Sequence, residues 1–408
     1  MHRITIASIQ PPCLDEASPQ SHDEMVAAGF DLLREALGKD TAFCVLPEYF
    51  NVFGADSAHY CALAANCTEF LDRARALASA HHSYIILPMI VLTTMFVGDW
   101  ATSLGIIIPL TLYPLFDVCF SVRKSPSPSP QHPIYLEWIP ALHEIFQLVI
   151  LVALFRLANT DGAVWTTWAA AVSCGFCAGI SGIVPAHELG HYVRGPRLWL
   201  ANVMMQVVAY PHFTQEHNRN HHRYVAMNRD GASAPRGRGF WKYLAVTIPL
   251  QWVSKHREMS RKFPGVRNPV LLRTVLSLLT ATVLFLYDTA VGSTWLIYSA
   301  SAVFLLEYVN YIRHYGLHRE EDEAVTELHS WDSEARWSRW MLLELSRHSA
   351  HHLKANVPFW QLQPTTGALR LPSGYFGCFW PCMIPPLWKW LIHPKLDLLE
   401  RKLREKPS

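Results

Sequence analysis

Glu216-His217-Asn218-Arg219-Asn220-His221-His222-Arg223-Tyr224 carries three imidazoles within six residues. At helical spacing, His217 and His221 lie one turn apart on the same face, and His222 lies beside them. Several neutral ring nitrogens could therefore converge on one metal ion.

Three further segments contain histidines at related spacings. His187-Glu188-Leu189-Gly190-His191 repeats the one-turn interval, and Arg347-His348-Ser349-Ala350-His351-His352 gives an i, i+3, i+4 series. His314 lies within Asn310-Tyr311-Ile312-Arg313-His314-Tyr315-Gly316-Leu317. Nine of the 21 histidines thus fall in four short motifs, which is too many ligands for one ion, so the sequence predicts two. The candidate metal ligands are His187, His191, His217, His221, His222, His314, His348, His351 and His352.

The composition is that of a membrane protein. Of the 408 residues, 50% are hydrophobic and 17% charged, and the mean hydropathy is +0.11, whereas about a quarter of the residues of soluble domains are charged. A net charge of +2 with no basic run gives no indication of nucleic-acid binding. The nine cysteines lack the regular spacings of a disulfide framework.

Apolar segments predict a mainly α-helical, polytopic membrane bundle with about six spans. The predicted spans are residues 85–97, which is short, and residues 101–120, 139–157, 163–184, 270–287 and 294–311. The long connections hold many Lys and Arg residues, whereas the short turns at 158–162 and 288–293 hold none. The positive-inside rule therefore predicts an inner-membrane protein with all four histidine motifs at the cytoplasmic face. Six spans keep the amino terminus cytoplasmic, and five place it outside.

Residues 1–83 predict a short α/β unit before the membrane part. The segments Ile6-Ala7-Ser8-Ile9-Gln10 and Cys44-Val45-Leu46-Pro47-Glu48-Tyr49-Phe50 resemble the amino-terminal third of the nitrilase, or carbon–nitrogen hydrolase, superfamily. That resemblance makes Glu48 the counterpart of a general base. The lysine and the cysteine of the family's triad have no place before the membrane segments begin, so we expect a truncated, inactive unit. The membrane domain then covers 84–395, and a charged tail covers 396–408.

The histidine motifs alone leave the metal and the reaction open, because imidazole binds zinc, iron, copper and nickel. His187-Glu188-x-x-His191 by itself is the pattern of an intramembrane zinc protease with Glu188 as general base. That interpretation leaves seven histidines unexplained. A histidine-rich diiron site accounts for all nine, and it is compatible with a hydroxylase or a lipid desaturase.

The motifs together resemble the alkane monooxygenase and xylene monooxygenase family of membrane diiron enzymes. The resemblance extends over roughly residues 100–395 and beyond the histidines. It includes Pro211-His212-Phe213, Asp230-Gly231-Ala232-Ser233-Ala234, the Asn310–Leu317 motif, Ser330-Trp331-Asp332 and Leu371-Pro372-Ser373-Gly374-Tyr375. Three positions depart from the family pattern: Asn220 replaces a usual glycine, Arg313 replaces a usual Glu or Gln, and Gly231 replaces the usual proline after Asp230.

This resemblance implies a concrete activity. The nine histidines would hold two iron ions that use dioxygen to hydroxylate an unactivated C–H bond of an apolar substrate from the bilayer, with no catalytic residue beyond the ligands. Electrons would come from a rubredoxin or ferredoxin with its reductase, bound in trans. Each ligating histidine should pass its second N–H to an acceptor. The candidate supporting residues are Glu188, Glu216, His212, Asp230, Asn310, His329 and Glu344.

Overall fold

The structure is a computed structural model that describes residues 85–119 and 134–405. The predicted nitrilase-like unit with Glu48, and the end of the charged tail, lie outside the described residues. The helices are α1 Ile86–Val97, α2 Leu104–Cys119, α3 Ile139–Asp161, α4 Trp165–Ser181, α5 Ile183–Gly190, α6 Pro196–Val207, α7 Phe213–Glu216, α8 His222–Tyr224, α9 Phe240–Lys262, α10 Pro269–Tyr287, α11 Thr289–His314, α12 Arg336–Met341, α13 His348–Leu353, α14 Phe379–Met383 and α15 Pro385–Glu405.

The described part is a helical membrane bundle, as predicted. Five segments are long and apolar enough to cross a bilayer: Asp99–Cys119, Ile139–Asp161, Trp165–Gly190, Pro269–Tyr287 and Thr289–His314. The predicted first span corresponds to the shorter apolar helix α1, of 12 residues. At 1.5 Å per residue, α1 is about 18 Å long, less than the hydrocarbon core of about 30 Å. Of the about six predicted spans, five correspond to membrane-length segments, and the first corresponds to a helix shorter than the hydrocarbon core.

Helices α4 and α11 form the centre of the bundle, and small residues let them approach closely. A Cβ atom on Gly175 would lie 2.5 Å from the carbonyl oxygen of Tyr298, and one on Gly179 would lie 2.9 Å from the side chain of Leu305. Glycines one turn apart on one face are a common device for close helix contact in membranes. This close packing fixes the height of α11, which ends at His314, relative to α4, which leads directly into α5 and His187.

Local capping explains where the last two membrane helices begin. The side chain of Asn268 accepts hydrogen bonds from the N–H groups of Val270 and Leu271, and Pro269 occupies the first position of α10. Asp288 caps α11 in the same way, accepting from Ala290 and Val291. The side-chain oxygens satisfy N–H groups that have no partner within the helix. The short turn between α10 and α11 is thus specified by sequence.

Segments after α11 fold back over the ends of the membrane helices. Strand β1, Trp331–Asp332, pairs in parallel with β2, Leu369–Arg370. Between the two strands lies α13, which carries the last three histidines of the motifs. The carboxyl ends of α5 and α11, the segment 213–224 and α13 therefore meet at one end of the bundle.

Candidate metal centre

The structure brings all nine motif histidines together in two adjacent groups. Within each group, every candidate ligand atom lies within 4.8 Å of the others. The five-histidine group consists of His187, His191, His217, His222 and His351, and the four-histidine group consists of His221, His314, His348 and His352. The groups touch, because the ring centroids of His222 and His352 are 4.5 Å apart.

A π-helical turn, His217–His221, separates α7 from α8 and decides which histidines share a group. The Nε2 atoms of His217 and His222 are 3.0 Å apart, and that of His217 is 2.8 Å from that of His187. His221 belongs to the other group. The expected pairing of His217 with His221 was therefore wrong. The wider turn aligns residues five apart instead of four, as π-bulges at functional sites commonly do.

Helix α13 serves both groups from one short segment. His348 and His352 are one α-helical turn apart, with their Nε2 atoms separated by 3.0 Å, and both belong to the four-histidine group. The Nε2 atom of His351 lies 3.2 Å from that of His222 in the five-histidine group. His314, the last residue of α11, completes the second group at 3.1 Å from His348.

The geometry and protonation of these rings fit metal coordination. An ion about 2.1 Å from each of two imidazole nitrogens, at bond angles of about 90–109°, places those nitrogens about 3.0–3.4 Å apart. The closest Nε2 pairs in the two groups are separated by 2.8–3.4 Å. Burial lowers the pKa of His191 to about 4 and lowers the pKa values of His217 and His351 well below the usual value. Neutral rings present the lone pair that a metal needs.

Two supporting contacts orient rings of the four-histidine group. The Nδ1 atom of His221 lies 2.9 Å from a carboxylate oxygen of Asp230, which also accepts from the Ser233 hydroxyl at 2.6 Å. The Nδ1–H of His314 donates to the backbone carbonyl of His329 at 3.0 Å. A carbonyl can only accept, so the Nε2 atom of His314 is the free ligand atom. Such contacts set the tautomer and direction of ligating histidines.

Among the described contacts, the other candidate supporting residues bind partners other than the nine motif histidines, which differs from the sequence prediction. Glu188 accepts a hydrogen bond from the backbone N–H of Phe359, 3.0 Å away. Glu344 forms a buried ion pair with Arg339 at 2.6 Å. Asn310 donates to Glu307 at 3.2 Å, and the ring of His212 packs against Tyr210. Of these four residues, Glu188 binds a segment distant in sequence, whereas the partners of Glu344, Asn310 and His212 are near neighbours in sequence.

Glu216 lies beside the site without a bond to an imidazole among the described contacts. Its carboxyl is buried near Asp230, Glu307 and Lys255. Burial raises the pKa of Glu216 well above its usual value, and the neighbouring carboxylates raise it further.

Sequence reasoning missed a buried network around Glu307 in α11. Its carboxylate accepts from the hydroxyl of Tyr210 at 2.9 Å, from the hydroxyl of Tyr243 at 3.2 Å and from the amide of Gln251 at 3.0 Å. The network ties α9, α11 and the segment after α6 together. A single glutamate inside an apolar span was the only signal, since ionisable residues in spans usually have partners or functions.

The motifs that follow the histidines hold the site together. The N–H of Ser349, near the start of α13, donates to Asp332 at 2.7 Å, and the indole of Trp331 donates to the carbonyl of Tyr315 at 2.9 Å. Asp117 of α2 accepts from the N–H of Gly377 at 3.0 Å. A Cβ atom on Gly374 would overlap the Asp117 carboxylate, which explains the glycine there.

An apolar cavity extends from the five-histidine group into the bundle. His187 lines it together with Ile180, Phe176 and Leu306 from the central helices, and its lining is almost entirely apolar. Arg313 and Tyr375 are polar exceptions. An apolar molecule in this cavity would therefore lie between the membrane-spanning helices and against the imidazole of His187.

Comparisons with known proteins agree with this arrangement. A model of the fatty acid desaturase family matches residues 163–388, more than half of the chain. The chain is 33% identical over 241 residues to an alkane 1-monooxygenase of Pseudomonas putida, covering 56% of this chain and 60% of the relative. The chain thus spans less than two thirds of the length of that relative.

Two further relatives extend the comparison. An alkane 1-monooxygenase of Alcanivorax borkumensis is 27% identical over 348 residues, which cover 80% of this chain and 86% of the relative. The hydroxylase component of a xylene/toluene monooxygenase of Pseudomonas putida is 27% identical over 238 residues, which cover 55% of this chain and 63% of the relative. All nine motif histidines lie within the region that the family model matches.

Proposed function

Because this chain belongs to the fatty acid desaturase family, we propose that it is an integral-membrane non-haem diiron monooxygenase. It hydroxylates an unactivated C–H bond of an alkane or an alkyl side chain. One oxygen atom of dioxygen enters the C–H bond to give an alcohol, and the other leaves as water. The reaction consumes two electrons and two protons.

One observation carries this proposal: nine imidazoles, most of them buried, form two groups beside an apolar cavity. When bound, two iron ions would supply the reduction of dioxygen and the oxidation of the C–H bond. The five-histidine group would hold one ion and the four-histidine group the other. In the described residues, no thiolate belongs to either group, so the ligands themselves resist oxidation.

The chain contributes positioning and exclusion of water. The apolar walls around Ile180 and Leu306 bind the hydrocarbon without leaving a polar group unpaired on it. Asp230 and the carbonyl of His329 hold two imidazoles in the required tautomer. These contacts support a site whose geometry is fixed before the substrate enters.

The proposed electron donor is a rubredoxin or ferredoxin with its reductase. Such a carrier would bind in trans at the end of the bundle that holds the histidines. The positive-inside distribution of Lys and Arg supports an inner-membrane location with this end in the cytoplasm. A small acidic carrier would be attracted to such a basic face.

The proposal is tested in membranes that contain the chain, a rubredoxin and its reductase. Octane, hexadecane and xylene are supplied, alcohols are measured by mass spectrometry, and iron is measured in the purified protein. We expect alcohol and two irons per chain from the parent, and neither full iron content nor alcohol from His221→Ala. The exposed His318→Ala is the matched control and should behave as the parent. Zinc in place of iron would refute the diiron site.

A lipid desaturase is the second candidate, because the matching family model is that of desaturases. The same metals would then remove two hydrogen atoms from an acyl chain. The assay separates the two reactions, since membrane lipids of the expressing cells would gain double bonds while no alcohol appears. An intramembrane zinc protease is disfavoured by Glu188, whose carboxylate binds the N–H of Phe359 instead of facing the centre.

A further inference from the structure

Arg313 places a buried cation in the wall of the apolar cavity. It is the next-to-last residue of α11, only 3% exposed, and precedes the candidate ligand His314. In the part of the chain that the structure describes, its Nε atom has no hydrogen-bond partner. An arginine keeps its charge in proteins, so this position carries a positive charge that is removed from water.

Among the described residues, no carboxylate lies within ion-pair distance of the Arg313 guanidinium. A close polar neighbour is Tyr375, whose ring centroid lies 5.6 Å from the guanidinium carbon. The hydroxyl of Tyr375 is buried and is the hydrogen-bonding side-chain group beside Arg313. A buried charge without a counter-ion is strongly destabilising, and two bound metal ions would add further positive charge. An anionic ligand would supply a counter-charge at this position.

The shape of the cavity relates this cation to the metal centre. Along α11, Leu305, Val309 and Arg313 recur every four residues and line one wall. Along α4 and α5, Ile180, Ile183 and His187 line another wall. Both series run from apolar side chains to a polar residue near the end of the helix. Arg313 and His187 therefore form, together with Tyr375, the polar end of a cavity whose lining is almost entirely apolar.

We propose that the substrate is an amphiphile, an alkyl chain that ends in a carboxylate, and that Arg313 binds the carboxylate. This inference rests on the proposed function and specifies its substrate class. The planar guanidinium can donate two parallel hydrogen bonds to a carboxylate, and the hydroxyl of Tyr375 can donate a third. The alkyl chain then lies along the apolar walls.

This orientation determines where the chain is oxidised. The carbons nearest the carboxylate lie beside His187, and the methyl end lies deepest among the apolar side chains. Hydroxylation inserts one oxygen atom of dioxygen into a C–H bond near the carboxylate to give C–OH, and the other oxygen atom leaves as water with two protons and two electrons from the carrier protein named above. The carboxylate is unchanged. The expected products are hydroxy acids substituted close to the carboxyl group.

Binding is measured first, without dioxygen or an electron donor. Iron-loaded protein in detergent is titrated calorimetrically with octanoate, methyl octanoate and acetate. The variants are Arg313→Gln, which removes the charge, and Arg313→Lys, which keeps it. Arg156→Gln, at an exposed position of a membrane helix, is the matched control. Iron content and thermal midpoint verify that each variant is folded.

We expect the parent and Arg156→Gln to bind octanoate at least about tenfold more tightly than Arg313→Gln does, since hydrogen bonds to charged groups contribute this much or more. Methyl octanoate should bind the parent and Arg313→Gln equally. Arg313→Lys should retain part of the preference for octanoate. Octanoate should raise the thermal midpoint of the parent but not that of Arg313→Gln.

Three results would overturn the inference. Equal octanoate affinity in the parent and Arg313→Gln would show that Arg313 does not bind the carboxylate. Acetate binding as tightly as octanoate would identify a site for small anions and not for a substrate. Turnover of octanoate only at the methyl end would contradict the orientation. If instead no substrate is hydroxylated but octanoate binding still requires Arg313, the proposed function fails while the subsite stands.

Discussion

Several residues of this protein orient the candidate metal ligands without being ligands themselves. Asp230 is the clearest case, because its carboxylate lies 2.9 Å from His221 and is itself held by Ser233 and by the N–H of Ala232 at 3.1 Å. A carboxylate in this position fixes the tautomer and raises the basicity of a ligating ring. Replacing Asp230 should therefore lower metal affinity more than it lowers the free energy of unfolding.

Replacing Asp230 with asparagine tests this role. The amide side chain would keep the shape of the carboxylate but lose its charge, so we expect Asp230→Asn to lower iron affinity about 10–100-fold. The measurement is iron retained per chain during dialysis against a graded series of chelator concentrations. Asp322→Asn, at an exposed position, is the control. Unchanged iron retention in Asp230→Asn would show that the contact has no part in metal binding.

His212 should make stability depend on pH. Burial lowers its pKa to about 4, from an ordinary value near 6.5. Between these values the unfolded chain binds a proton and the folded chain does not, so the free energy of unfolding falls as the pH falls from about 6.5 to about 4. For this residue the loss amounts to about 3 kcal/mol.

The corresponding measurement is the thermal midpoint at several pH values. We expect His212→Phe to keep the aromatic packing on Tyr210 and to show a smaller fall in the midpoint between about pH 6.5 and about pH 4. His318→Phe, at an exposed position, controls for the loss of an imidazole. A pH profile of His212→Phe that parallels that of the parent would contradict the assignment.

At the scale of elements, short irregular segments at the ends of long helices distribute the histidines. The π-helical turn His217–His221 directs His222 to the five-histidine group and His221 to the four-histidine group. In a continuous α-helix, His217 and His221 would share a face. The turn thus permits one segment to serve two adjacent ions.

Double variants test this partition. If His217 and His222 bind one ion, the effects of His217→Ala and His222→Ala on iron affinity should be strongly non-additive, because the second change acts on a site already weakened. His217→Ala and His221→Ala should weaken different ions. Mössbauer spectroscopy and iron titration distinguish the ion of the five-histidine group from the ion of the four-histidine group. Non-additivity between His217 and His221 would instead indicate regular α-helical spacing in the metal-bound protein.

At the scale of the whole molecule, the cavity between the central helices connects the membrane-spanning part to the candidate centre. Ile180 lines this cavity, whereas Leu279 of α10 is 55% exposed on the outside of the bundle. We expect Ile180→Phe to block the cavity, reducing hydroxylation while iron content stays unchanged. Leu279→Phe should leave both unchanged. Product analysis with iron quantification gives the answer, and full activity in Ile180→Phe would locate substrate binding elsewhere.

The topology of the bundle is a second property of the whole molecule. The turn at 288–293 carries no Lys or Arg, whereas the connection 240–268 is basic. We expect a membrane-impermeant maleimide added to intact cells to label Ser293→Cys and not Arg257→Cys. Lysed cells should label both. The reverse pattern in intact cells would place the histidines on the outer face.

Much of the candidate site could be predicted from the spacing of residues that are close in sequence. The nine histidines, the apolar segments and the Asp230 contact involve residues close in sequence, so helix geometry and hydropathy predict them. The structure differs from the prediction for Glu188 because its partner Phe359 lies in a later segment that folds back over the site, and for Glu344 because the nearby Arg339 pairs with it. Glu307 was missed because its donors come from separate segments of the chain.

The amino-acid sequence by itself determined a helical membrane protein with enough imidazoles for two ions, because periodicity and composition act locally. Tertiary structure alone decided which imidazoles share a group, since a single π-helical turn changes the face on which His221 and His222 lie. It also decided that Arg313 faces an apolar cavity with its Nε atom unpaired among the described residues. That position depends on the close packing of α4 against α11, which no local pattern specifies.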